Sequence, residues 1–348
     1  MKLRNTSPAT IMIRAANWVG DAIMTTPVIR AVRKNFPRAQ ISVLAKPWVI
    51  PVYAHNPNVD RILVYDAHHR HKKGVGTLRL ARELRACRFD LAILMQNAFE
   101  AGLLSFLAGI TERVGFNTDG RGILLNKGIK LNPALKKGHL IDYYIGILKG
   151  VSLADDGREL DLFLSDADRA FAAHFLEREQ FDLSKPVMGI NPGATGGTAK
   201  RWFPERYARV CKQLAEKFKV KLLIFGGPAD TALGEYIAGR SNGACINIAG
   251  KTSLGQAFAL IETCSLFITN DSGLMHAAAA LNVNQVAVIG STDYVATSPS
   301  NENSVMVRVP VPCSPCLKDV CPTAHQCMDK ISVDMVMETC TSLLKTVR

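Results

Sequence analysis

Long apolar runs, aromatic residues and nucleotide fingerprints are all scarce in this chain, and each scarcity removes a class of function. No window approaches the roughly 18 uncharged apolar residues of a membrane-spanning helix, so no crossing segment is expected. Residues 1–10 are polar, and the apolar stretch after them is broken by Arg14 and Asn17. A signal peptide is therefore not expected, and the chain is expected to stay in the cytoplasm. Only 7% of residues are aromatic, and the one dense basic run is histidine-rich. Both facts argue against a nucleic-acid-binding module, which stacks bases on aromatics along a basic face. A dinucleotide fingerprint is absent. The P-loop-like stretch Gly193-Ala-Thr-Gly-Gly-Thr-Ala-Lys200 has the wrong spacing, and Arg201 stands where Ser or Thr would hold Mg²⁺. An NTPase is excluded, and no repeat of 20–50 residues is visible.

What is present is a globular chain. Its 348 residues suffice for two domains, and 48% apolar against 21% charged residues gives each a core. The formal charge of +12 calls for an anionic partner: nucleic acid, a membrane surface or a phosphorylated substrate. Short apolar runs alternate with helical patterns from Thr10 to Ala108, and again from Val187 to Ile289. This alternation predicts α/β architecture with doubly wound, mostly parallel sheets. The expected division is a first domain over 1–180, a second over 181–330, and a last helix within 331–348 packing back toward the first. Two such domains place a ligand in the cleft between them, at strand C-terminal ends.

The most informative stretch is Phe267-Ile-Thr-Asn-Asp-Ser-Gly-Leu-Met-His276. A strand, a small polar turn whose Asn270, Asp271 and Ser272 suit an N-cap, and an alanine-rich helix aim backbone N–H groups at one point, where a phosphate can sit. The glycine-rich loop after strand Val187–Ile190 carries Lys200 and Arg201, two cations suited to a pyrophosphate leaving group. Asp21, at the start of the first helix, is either a helix-dipole carboxylate or a general base for an acceptor hydroxyl. His68, His69, Arg70, Lys72 and Lys73 form either a solvated loop or a contact for an acidic acceptor. Cys313, Cys316, Cys321 and Cys327 read as a structural zinc site, as reduced thiols or as a disulfide switch.

Taken together, Asn17-Trp-Val-Gly-Asp21, Asn191-Pro-Gly-Ala, Lys200-Arg-Trp-Phe-Pro204, Phe225-Gly-Gly227 and Asn270-Asp-Ser-Gly-Leu-Met-His276 resemble the bacterial ADP-heptose:lipopolysaccharide heptosyltransferases of glycosyltransferase family 9. The likeness runs in order over nearly the whole chain. Trp-Val-Gly-Asp is more like the enzymes that add the second inner-core heptose than those that add the first. The resemblance implies a GT-B fold, an inverting transfer without catalytic metal, an acceptor on the N-terminal domain and ADP-heptose on the C-terminal one. It makes Asp21 the base, Lys200 the lysine on the donor phosphates and Asp271 the holder of heptose hydroxyls. Ser272, Gly273 and Leu274 become backbone donors to the diphosphate, with His276, Thr195, Gly226 and Gly227 also in the donor site. It further implies a monomer that touches the anionic inner face of the inner membrane to reach an acidic lipopolysaccharide acceptor. Another GT-B transferase with a different sugar nucleotide shares most of these features.

Overall fold

The computed structural model describes residues 1–345. The chain divides into two units, Met1–Phe163 and Leu164–Arg348, each built on one six-stranded sheet. The first sheet contains β1 (Thr10–Arg14), β2 (Gln40–Ala45), β3 (Arg61–Val64), β4 (Leu91–Leu94), β5 (Glu112–Phe116) and β6 (Lys127–Ile129). Their order is β3-β2-β1-β4-β5-β6, and every pair is parallel. The second contains β7 (Met188–Asn191), β8 (Leu222–Ile224), β9 (Cys245–Asn247), β10 (Leu266–Asn270), β11 (Gln285–Val288) and β12 (Ser304–Val307). It runs β12-β11-β10-β7-β8-β9, again all parallel.

The two orders are one topology used twice. Each unit starts at a central strand, winds outward one way, then returns to wind the other way. That is the doubly wound arrangement expected, and it opens a crevice at the C-terminal ends of β1 and β4, and of β7 and β10. Strands covered by helices on both faces must be apolar throughout. β4 and β8, Leu-Ala-Ile-Leu and Leu-Leu-Ile, are accordingly buried at every residue.

Local chemistry explains where the elements differ from the sequence reading. The pattern predicts one helix over 22–35, but the structure has two, Val19–Met24 and Thr26–Asn35. Pro27 lacks an N–H and its ring crowds the preceding turn, so the helix breaks before it. The hydroxyls of Thr25 and Thr26 donate to the carbonyls of Ala22 and Ile23, both at 2.7 Å. The helix expected from Pro47 is a 3₁₀ segment, Pro47–Val52, with Pro51 inside it. β5, β6 and β12 went unpredicted; Glu112-Arg-Val-Gly-Phe116 alternates too weakly, and β6 has only three residues.

The domain boundary also moves. The expected split near 180 gives way to Phe163/Leu164, because helix Asp166–Arg178 packs on the second unit. Its Ala172 and Leu176 are buried, and Arg169 meets Glu262 of helix Leu254–Glu262 at 2.9 Å. The last helix, Val333–Lys345, was expected to turn toward the first domain; its Val333, Val336 and Cys340 instead enter the second unit's core, with Leu214, Ile268, Val286 and Val288. The part of that expectation falling on 346–348 lies outside the described residues. Of the cysteines expected in cores, Cys211, Cys264 and Cys340 are buried, and Cys87 and Cys245 half-buried.

Candidate active site

In the first unit the crevice is organised around buried Arg14 at the end of β1. Its guanidinium donates to the Ala15 carbonyl (2.7 Å) and to Asn17 Oδ1 (3.1 Å), and lies over the Tyr65 ring. Burial lowers its pKa to about 10, partly countered by Glu100. The guanidinium thus remains charged at neutral pH and fixes the Asn17 turn. Asp21 follows in the first turn of Val19–Met24 and is half-buried. Tyr144, from helix Leu140–Gly150, donates its phenol to Asp21 Oδ1 at 2.9 Å. Burial, then the Asp21 charge, raises the phenol far above its usual range, so it stays a donor. At the neighbouring β4 end, Arg121 is fully buried and donates to Asn97 Oδ1 at 2.8 Å.

The basic run expected to contact the acceptor is exposed at His68, His69, Arg70, Lys72 and Lys73. Arg70 pairs with Glu83 at 2.7 Å, and the backbone N–H of His69 is held by Asp66. His68 leans on the Trp48 ring.

In the second unit the chain leaves β10 through Asn270, Asp271 and Ser272 into helix Gly273–Ala280. Asn270 does not cap this helix, as its position had led us to expect. It is fully buried, and its Oδ1 accepts from the Trp202 N–H (3.1 Å) and the Tyr207 hydroxyl (3.0 Å). Its Nδ2 donates to the Pro192 carbonyl at 2.7 Å. One side chain therefore ties the β10 turn to both ends of the loop that carries Lys200.

Ser272 is the N-cap residue, yet its side chain makes no capping bond. Its Oγ accepts from Asn191 Nδ2 at 2.7 Å instead. Met275 N–H reaches the Ser272 carbonyl at 3.2 Å, while the N–H groups of Gly273 and Leu274 precede any intrahelical acceptor. With the usual hydroxyl diverted, the end of the helix keeps its donors and its positive potential for something else. Lys200 brings Nζ to 3.6 Å from Asp271 Oδ2, and Thr297 donates to the same oxygen at 3.1 Å. A cation, a buried carboxylate and an uncapped helix start thus meet at the β7/β10 switch point. Arg201 turns the other way, to Asp230 at 3.3 Å, and the Gly227 N–H donates to that carboxylate at 3.2 Å. Thr195 is exposed on the loop, and His276 is buried on the helix.

The cysteine loop supports this site from behind. Cys316 and Leu317 donate their N–H groups to the Ser291 carbonyl, at 3.1 and 2.9 Å. The Asp319 carbonyl accepts from Ala199 N at 3.0 Å, and His325 Nε2 donates to Ala199 O at 2.9 Å. Gly197 has φ +119°, and a Cβ there would meet the Asp319 carbonyl at 2.0 Å, so only glycine permits this contact. All four cysteines are thiols, and burial followed by Cys313, Cys316 and Cys321 raises the Cys327 thiol. The thiols are near enough to influence one another. Among the described residues, however, no group of three or more His, Cys, Asp or Glu side chains is set to hold a metal.

Two doubly wound units, the second with a cationic helix start at its switch point, are the architecture of the GT-B class of glycosyltransferases. The chain belongs to glycosyltransferase family 9 (heptosyltransferase), whose model matches residues 77–326. It is 30% identical to the lipopolysaccharide heptosyltransferase 2 of Escherichia coli, over 96% of this chain and 98% of that one. It is 32% identical to the lipooligosaccharide heptosyltransferase 2 of Haemophilus ducreyi, covering 86% and 88%. Among solved structures, the E. coli ADP-heptose lps heptosyltransferase II superimposes with a TM-score of 0.82 at 28% identity, covering 97% and 99%.

Proposed function

We propose that this protein transfers L-glycero-D-manno-heptose from ADP-heptose to a heptosylated, Kdo-bearing lipopolysaccharide inner core, with inversion at the anomeric carbon. The observation that carries the reading is the meeting of Lys200, Asp271 and the uncapped start of Gly273–Ala280. The names of the relatives at 30% identity and above support heptose as the sugar and the lipopolysaccharide core as the acceptor.

In this reading the acceptor hydroxyl attacks the anomeric carbon while the bond to the ADP oxygen breaks. Asp21 takes the hydroxyl proton, a general-base contribution of roughly 10²–10⁴-fold. Tyr144 holds the carboxylate in place through its 2.9 Å bond. The negative charge that grows on the diphosphate meets Lys200 and the N–H groups of Ser272, Gly273 and Leu274. Asp271 orients heptose hydroxyls, with Thr195, Gly226, Gly227 and His276 completing the donor side. The step runs on these groups, with no metal in it. A zinc ion on the four cysteines would be a structural addition. The same reading has the protein work as a cytoplasmic monomer that touches the anionic inner membrane face through its net charge of +12. Among the described residues no helix is long and apolar enough to cross a membrane.

ADP release measured with Kdo₂-lipid A and with its monoheptosylated form tests the proposal. Turnover with the heptosylated acceptor alone is expected. Turnover with the plain Kdo acceptor would move the enzyme one step earlier, and silence with both would overturn the choice of sugar or acceptor.

A further inference from the structure

Of the three tryptophans in the chain, only Trp202 is buried. Trp18 is 61% exposed and Trp48 40% exposed, and both stand at the C-terminal end of the first sheet. Trp18 follows β1 and precedes Asp21 by three residues; Trp48 follows β2. A folded chain gains by covering such large apolar rings, so an exposed pair beside a reactive carboxylate marks a surface made for a ligand.

The Trp48 ring is also held still. Its indole N–H donates to the Asn17 carbonyl at 2.7 Å, and Asn17 is itself held by buried Arg14. Lys46 Nζ lies over the ring, 5.0 Å from its centroid, and the His68 ring packs 5.6 Å away. Three partners thus fix one exposed indole, which lowers the entropy cost of stacking on it. The neighbouring acid is Glu100, which accepts from the Tyr65 hydroxyl and whose charge acts on both Arg14 and Lys46. Burial and then Arg14 lower the pKa of Lys46, with Glu100 acting the other way.

From this juxtaposition we propose that Trp18, Trp48 and Lys46 form an acceptor subsite for an anionic sugar residue. The C–H face of the sugar ring stacks on indole, its carboxylate meets Lys46, and a neighbouring sugar's hydroxyl is presented to Asp21. The inference rests on the reading of the first unit as the acceptor-binding half. It replaces most of the 68–73 run with residues that no basic-cluster argument selects, keeping only His68.

The test uses the full chain and a deacylated inner-core oligosaccharide, either intact, with its carboxylates reduced to alcohols, or with its phosphates removed. Because two of three tryptophans are exposed, the intact sugar is expected to quench the emission and shift it to the blue. Dephosphorylation should leave that response, and carboxylate reduction should weaken binding at least tenfold. Loss on dephosphorylation alone would overturn the carboxylate assignment. Trp48→Ala and Lys46→Gln should each raise the acceptor KM at least tenfold while leaving the KM for ADP-heptose and the affinity for ADP unchanged. Trp48→Phe should stay within about threefold of the parent. An unchanged acceptor KM in Trp18→Ala, Trp48→Ala and Lys46→Gln would overturn the subsite. A fluorescence response without any heptosyl transfer would leave the subsite standing and defeat the proposed reaction; transfer without any response would do the reverse.

Discussion

Replacing Asn270 by alanine should cost the second unit both stability and its hold on ADP. The side chain is fully buried and satisfies the Trp202 N–H, the Tyr207 hydroxyl and the Pro192 carbonyl. Alanine leaves two donors and one acceptor without their partner in a closed space. Each such loss costs about 1–3 kcal/mol, and partial rehydration keeps the sum near 3 kcal/mol. For a unit of this size, about 2–4 °C of Tm follows each kcal/mol, so its calorimetric transition should fall by about 6–12 °C. Two of these bonds, with Pro192 and Trp202, hold the two ends of the loop that carries Lys200. A charge-assisted bond from Lys200 to a diphosphate is worth about 1.5–3 kcal/mol, so losing the geometry should weaken ADP about tenfold or more. Tyr207→Phe is the control: it removes one donor, and Asn270 Oδ1 still accepts from Trp202. It should cost about 1 kcal/mol and leave ADP affinity intact. A transition within 2 °C of the parent in Asn270→Ala would refute the tie, and a large fall with unchanged ADP affinity would separate it from the Lys200 loop.

Asp21→Ala should reduce kcat at least about 100-fold with ADP affinity nearly intact, and unchanged turnover would remove Asp21 as base. Tyr144→Phe should lower kcat more than acceptor KM, since it frees the carboxylate from its 2.9 Å brace without deleting it; a purely structural role would lower Tm and leave kcat alone. Lys200→Ala should weaken ADP and slow turnover together, whereas equal affinity in both proteins would count against the phosphate role. Among the clustered thiols, hydrogen bonding with Thr323 lowers the Cys321 pKa, while burial and its neighbours raise that of Cys327. At a fixed pH near neutrality Cys321 carries more thiolate than Cys327, so iodoacetamide should label Cys321 before Cys327, with the gap narrowing as pH rises. Uniform protection of all four, released by a chelator with about one zinc per chain, would instead establish the closed tetrathiolate site.

The doubly wound architecture was legible because buried parallel strands must be short and apolar and their covering helices periodic. Pro204–Phe218 could be bounded to the residue and Asp166–Arg178 closely, having a proline start and a serine cap respectively. β6 could not, since three residues carry no period. The domain boundary was missed for a related reason. Phe181-Asp-Leu-Ser-Lys-Pro186 has the composition of a linker, but composition does not say which core the preceding helix covers, and Ala172 and Leu176 decide that.

At the site, legibility followed the range of the interaction. Asp271, Ser272 and Gly273 could be picked out because a strand, a turn and a helix start lie within ten residues. Lys200 could be suspected from its loop, but its meeting with Asp271 spans 71 positions and needs the β7–β10 pairing to exist. Asn270 looked like a cap because local rules reward asparagine before a helix; three partners elsewhere in the unit outbid that local bond. The first unit shows the same limit from the opposite direction. A run of like charge is conspicuous in a sequence, yet Glu83 takes up Arg70, and it also receives His71. Trp18, Trp48 and Lys46 are scattered over two strand ends and inconspicuous until the sheet order sets β1 beside β2. Charge density along the chain does not show which of its cations are already paired. Exposure of large rings in the folded unit is the better guide to where a sugar can stack.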